Sequence, residues 1–150
     1  HELREQRALA YHVSASAEAM DMCGQFIIEA SMAPERFDEC LQAVLALLTQ
    51  HAERIDPQDL SRARRQLGVR RLHTLEKPLR QIEDAALDLF AHGRMRTHDE
   101  RLAALDAVSG EAVRGIFERL LGAGLSLALT GSVKRAAGQR ARDVLAAARP

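Results

Sequence analysis

Two short stretches near the start of the chain alternate apolar and polar residues with the period of a half-buried strand. In the first, Tyr11, Val13, Ala15 and Ala17 interleave with His12, Ser14 and Ser16. In the second, spanning Gln25 to Ser31, Phe26 and Ile28 share a face opposite Gln25 and Glu29. Asp21 and Gly24 punctuate the interval as turn residues, so the pattern predicts an antiparallel hairpin. Ahead of it, Glu2 to Leu9 is charged and helix-favouring, with no start signal of its own.

After Pro34 the period changes to that of a helix. Proline suits a first helical position, and Phe37, Leu41, Val44, Leu45 and Leu48 then form one apolar stripe at i, i+4, i+7, i+8 and i+11. Asp56 and Pro57 mark a second start, with Leu60, Ala63 and Leu67 on one face. Pro78 opens a third helix whose stripe is Ile82, Ala86, Leu89 and Phe90, and Gly93 stops it. Thr97 and Glu100 have the spacing of a capping box, ahead of Leu102 and Leu105. Ser109 caps the next helix, which carries Val113, Ile116, Phe117, Leu120 and Leu121 and ends at Gly122 and Gly124. Leu125 to Thr130 alternates again as a third strand, and Val133 to Ala148 reads as a last amphipathic helix through Ala137, Ala141, Val144 and Leu145.

Helix, hairpin, several helices, strand and helix make an α+β order, with helices packed on one face of an antiparallel sheet. Residues 1–150 are expected to form a single domain. So thin a sheet under so many helices implies further strands upstream, and an edge left open for want of them invites self-association, so a homo-oligomer is one expected outcome.

Composition narrows the function classes. Lys plus Arg and Asp plus Glu are 21 each, so no global field draws the chain to nucleic acid or to an acidic membrane. No apolar run nears the roughly 18 residues of a membrane span. With four Phe, one Tyr and no Trp, the core must be built from Leu, Ala and Val. Cys23 and Cys40 have no second pair, which fits two buried thiols rather than a disulfide framework or a zinc site.

Catalytic chemistry is hard to find. The histidines at positions 1, 12, 51, 73, 92 and 98 include no two that are four apart, so neither His-Glu-x-x-His nor its inverse is present. No glycine-rich phosphate loop or nucleophile elbow follows a strand. The acidic pairs Asp38-Glu39 and Glu83-Asp84 read as solvated helix surface, because adjacent helical residues point apart. Arg62, Arg64, Arg65, Arg70 and Arg71, with Lys134, Arg135, Arg140 and Arg142, could be read as a phosphate stripe. Balanced charge and scarce aromatics favour a solvated face and no nucleic-acid partner.

A series of motifs, in order, resembles the C-terminal, catalytically empty half of the insulinase-like (pitrilysin-type) zinc metallopeptidases. Leu3-Arg4-Glu5-Gln6-Arg7-Ala8-Leu9-Ala10-Tyr11 is similar to L-R-E-K-R-G-L-A-Y, and Asp21-x-x-Gly24-x-Phe26 to D-x-G-x-F with one extra residue. Ala33-Pro34-Glu35-Arg36 resembles S-P-E-K, and Asp59 to Leu67 resembles E-L-x-R-A-K-x-Q-L. Leu75-Glu76 stands where the family has L-E-S, Ala107 to Val113 resembles A-V-T-x-E-D-V, and Thr130-Gly131 is similar to V-V-G. Ala8 replaces the family's usual glycine at the turn into the first strand.

The resemblance implies an α+β unit that occurs twice in a full enzyme, the two halves enclosing a chamber. It also implies zinc in the other, catalytic half or in a partner subunit, and no metal ligands or catalytic residues in this chain. The implied partners are a peptide substrate and the zinc-bearing half. Arg4 and Tyr11 stand where the family has an arginine and a tyrosine that hold substrate carbonyls, for which a guanidinium fork and a phenol are suitable donors. The alternative is a structural or assembly subunit of the same fold without peptidase activity.

Overall fold

Alternation in the two early stretches becomes register in the structure, a computed structural model that describes residues 9–19, 24–132 and 135–147. β1 (His12–Ala19) pairs antiparallel with β2 (Gly24–Ser31), His12 opposite Ser31 and Ala19 opposite Gly24. Opposed residues in an antiparallel pair share a face. Val13 with Ala30, Ala15 with Ile28 and Ala17 with Phe26 therefore make one apolar face. The other face is tied by polar side chains: Ser14 donates to Glu29 at 3.3 Å and Gln25 to Glu18 at 2.7 Å.

A single 3-10 turn at Pro34–Arg36 leads into α1 (Phe37–Glu53), followed by α2 (Pro57–Leu75), α3 (Pro78–His92), α4 (His98–Asp106), α5 (Gly110–Ala123) and α6 (Arg135–Ala147). The boundaries follow their signals. The Asp56 carboxylate accepts from the Gln58 and Asp59 amides at the head of α2. Thr97 and Glu100 form both bonds of the capping box, and Ser109 Oγ accepts from the Ala112 amide. Gly93 ends α3 at φ 67°, a left-handed conformation that a β-carbon would strain.

Two compact units divide the chain, one of residues 1–53 with 114–150 and the other of residues 54–113. In the first, the α1 stripe builds the core as predicted. Leu41, Leu45, Leu48, Leu121 and Ala141 are buried together, with Phe26, Ile28, Phe37, Val44, Phe117, Leu125, Val144 and Leu145 packed against them. Phe26 meets Phe117 edge to face, ring centres 5.9 Å apart, the arrangement that aromatic quadrupoles favour. His51 lies against the same Phe117 ring, with Nδ1 2.6 Å from the Leu47 carbonyl one turn back. A smaller cluster joins Leu9, Cys40 and Ala43, flanked by Val13, Ala30, Met32 and Leu47. Burial, and next the charge of Glu39, push the Cys40 thiol above its usual range.

In the second unit, α3 reverses the expectation. Its stripe of Ile82, Ala86, Leu89 and Phe90 faces outward, with Phe90 85% exposed. The inner face carries Asp84 and Asp88 instead, four apart, and ionic pairing to α2, to α4 and to the loop before α4 outweighs the apolar stripe in orienting the helix.

A second correction concerns Leu125 to Thr130, which has no regular structure and no strand partner among the described residues. A strand exists only through a neighbour that pairs its amides. Here a cavity of about 650 Å³ is lined both by Ala30, Ser31 and Met32 at the end of β2 and by Ala128 to Ser132. The helix expected at Glu2 to Leu9, the turn at Asp21, Cys23 and the start of the last helix at Val133 lie, but for Leu9, outside the described residues.

The two faces make opposite predictions for mutation. Leu45→Ala should cost about 2–5 kcal/mol of unfolding free energy in urea, since it empties the α1 core. Phe90→Ser should change it by no more than about 0.5 kcal/mol, as for other exposed positions.

Candidate functional site

Of the two residues singled out by resemblance, the structure places one. Arg4 lies outside the described residues. Tyr11 stands just before β1, its amide donating to the Ser31 carbonyl at 2.8 Å. Leu9 and Ala10, 2% and 7% exposed, are buried immediately ahead of it. The backbone is thus fixed on both sides of Tyr11 while its side chain is 75% exposed. A core strand residue would be enclosed. Tyr11 instead presents a phenol to whatever approaches this end of the hairpin, and the phenol can donate one hydrogen bond and accept others.

Three of the five arginines of α2 are engaged, while Arg65 and Arg70 are exposed. Arg62 pairs with Asp59 at 2.7 Å, Arg71 with Asp84 at 3.2 Å, and Arg64 donates to the Val108 carbonyl. On α6, Arg140 reaches Asp38 of α1 at 2.9 Å. Such pairing lowers the charge available to a phosphate backbone.

Sequence reasoning missed the most organised polar cluster. Asp88 is buried and takes two bonds from the Arg96 guanidinium, at 3.1 and 2.8 Å, one from the Arg96 amide at 2.9 Å, and two from Arg101 at 3.0 and 2.7 Å. Asp84 takes Arg101 at 3.2 Å as well as Arg71. It is part-buried, not the solvated surface its neighbour Glu83 suggested. The Arg96 bonds first, and then those of Arg101, hold the Asp88 carboxyl well below the usual carboxylate range, against the opposing effect of burial. Asp84 and Asp88 at i and i+4, with Arg96 just beyond the helix end and Arg101 on the next helix, were the signal available.

A cavity of about 310 Å³ adjoins this cluster, lined by Arg71, Thr74, Gln81, Arg96, His98 and Arg101 among others. Its three guanidiniums already face two carboxylates, so little charge is left for a ligand. Nor do the described residues fit a metal: no three His, Cys, Asp or Glu side chains converge. His12 and His92 are exposed on separate elements, and His73 lies beside Glu76 at 3.6 Å.

Comparison with known proteins bears on the reading at this point. Residues 1–67, which include both Arg4 and Tyr11, match the family model of the Peptidase M16 inactive domain. The chain is similar to the inactive half of an insulinase-like peptidase. It is also 26% identical over 148 residues to the mitochondrial-processing peptidase subunit alpha of Caenorhabditis elegans. That alignment takes in 99% of this chain and 29% of the relative, so the chain spans under a third of the relative's length. Both matches agree with the motif resemblance, and the M16 match takes in the hairpin, α1 and the first part of α2 of the α+β arrangement.

The capping box yields a pH prediction. Hydrogen bonds from Arg94, and next the Thr97 amide, lower the Glu100 carboxyl from 4.5 to about 2. A depressed folded value means that Glu100 stabilises the fold above about pH 4.5 and loses that effect as the pH falls toward about 2. Wild type should therefore melt above Glu100→Gln near neutral pH, and the gap should close across that window. A constant gap down to the lower limit would show that the carboxylate charge is not responsible.

Proposed function

We propose that this chain is the substrate-binding, non-catalytic half of a zinc metalloendopeptidase, acting beside a separate zinc-bearing half or subunit. The observation that carries the reading is the inactive-domain match over the segment that holds Arg4 and Tyr11. Two further features support it. Tyr11 is held outward on a backbone anchored by Leu9, Ala10 and the Ser31 bond. The related protein is named as one subunit of a processing peptidase, which fits a division of labour between chains.

In this reading the residues of this chain bind and orient; hydrolysis belongs to the partner. The Tyr11 hydroxyl donates to a carbonyl of an extended peptide, and the Arg4 guanidinium donates to the same stretch of backbone. Polar donors aimed at a carbonyl also stabilise negative charge that develops there.

The test requires the chain assembled with its zinc-bearing partner. Arg4→Ala should lower kcat/KM about tenfold, because a bond from a charged donor contributes roughly 1.5–3 kcal/mol. Tyr11→Phe should lower it less, in keeping with roughly 0.5–1.5 kcal/mol for a neutral bond. Zinc content and fold should not change. Arg7→Ala is the control and should cleave normally. Equal loss in Arg4→Ala and Arg7→Ala would refute the residue assignment. Unchanged cleavage in every variant, with assembly intact, would refute a substrate-holding role for Arg4 and Tyr11.

A further inference from the structure

Tyr11 stands at a bend in the chain, between two residues that are held by the same buried cluster. Leu9 is buried together with Cys40 and Ala43 of α1, and Val13 packs against that cluster. In extended backbone, residues two apart point to one side, so Leu9, Tyr11 and Val13 would all turn toward α1 if the chain ran straight. Tyr11 is exposed instead. Its amide bond to the Ser31 carbonyl lies one residue before β1, at a strand end, where ladders ordinarily fray. The bend is thus pinned by Val13 and the ladder on one side and by the Leu9 side chain on the other. Ala10, also buried, offers only a methyl group.

We infer that Leu9 is a positioning residue for Tyr11: seated in the cluster of Cys40 and Ala43, it holds the bend that keeps the phenol turned outward. Cys40 and Ala43 are small side chains three apart on one face of α1, and they leave room for a leucine. Among the described residues, Leu9 is the one large side chain buried ahead of β1. Without it the segment can straighten, and the phenol either turns toward α1 or loses a fixed place. The role of Leu9 rests on the substrate-binding reading above, in which the Tyr11 hydroxyl donates to a peptide carbonyl. Leu9 itself meets no substrate in this scheme; it acts only through the backbone it anchors.

Tyr11 is the one tyrosine of a chain without tryptophan, so tyrosine emission reports this position alone. On the full 150-residue chain, time-resolved anisotropy of that emission should show little nanosecond segmental motion in wild type. Leu9→Met, which roughly conserves volume, should match wild type, Leu9→Val should show more motion and Leu9→Ala the most. Leu9→Val removes a single methylene and keeps the series readable should Leu9→Ala fail to fold. Leu45→Ala weakens the fold through the other buried cluster and should leave the anisotropy at the wild-type value. A second measurement uses the chain assembled with its zinc-bearing partner, in an Arg4→Ala background so that no effect runs through Arg4. There Leu9→Ala should lower kcat/KM about as much as Tyr11→Phe, roughly two- to tenfold, and both together no more than either alone. Anisotropy unchanged across the Leu9 series, an equal change in Leu45→Ala, or losses that multiply in the double variant would each overturn the inference. Normal cleavage by Tyr11→Phe would instead sink the substrate-binding reading, and the positioning role with it, whatever the anisotropy shows.

Discussion

The contact on which the first unit depends is the seating of the α1 stripe among the apolar residues of β2, α5 and α6. Leu121 from α5 and Ala141 from α6 are buried in one cluster with Leu41, Leu45 and Leu48, and Phe26 and Ile28 from β2, Phe117 from α5, and Val144 and Leu145 from α6 pack against that cluster. A two-stranded hairpin is marginal in water without such support. Burial of its inner face therefore fixes its register as well as its stability, for a one-residue slip would turn Phe26 and Ile28 to solvent. The anchored position of Tyr11 follows from this. Its amide bond to Ser31 lies at the very end of the register, and Leu9 just upstream fills a pocket made by Cys40 and Ala43 of the same α1.

The second unit is held differently. Its helices bury little apolar surface, and Asp88 with Arg96 and Arg101 is its most enclosed element. Replacing such a cluster with apolar residues is often neutral for stability, whereas removing one member leaves a charge without its partner. What the ions supply here is direction: paired to Asp84 and Asp88, Arg71, Arg96 and Arg101 can be satisfied only when α3 turns its acidic face inward. The consequence is an outward stripe from Leu79 to Phe90, more apolar than an isolated helix face ordinarily shows.

These two modes explain which parts of the structure were legible in the sequence. Leu41, Val44, Leu45 and Leu48 recur at helical spacing and face inward, because apolar burial is what periodicity reports. Asp56, Thr97 with Glu100, Ser109 and Gly93 act at the positions their chemistry implies, because caps are local. The α3 stripe had the same periodicity and the opposite outcome. Its orientation is set by arginines at a distance in sequence, and no local pattern carries that information. Leu125 to Thr130 differs for a third reason. Its alternation reports a propensity for pairing, but pairing needs a neighbour, and β2 ends across a cavity from it. Of the candidate site, Tyr11 was legible through resemblance alone, for one tyrosine before a strand reads equally well as core.

Under the function proposed above, an inactive half of this construction separates surface presentation from packing, provided the hairpin remains seated on α1. Tyr11 illustrates the separation. The residues that fix its backbone, Leu9, Ala10 and Ser31, are not those that would meet a peptide, and its ring makes no part of the core. Altering the phenol would therefore leave the platform standing, while loosening Leu9 would displace a phenol whose chemistry is intact. Binding contributed by such a half depends on the rigidity of the backbone behind the side chain, because a donor misplaced by about 1 Å loses much of its value. That rigidity comes from the packing of α1, so the substrate-facing role proposed here and the stability of the first unit rest on the same buried row of leucines.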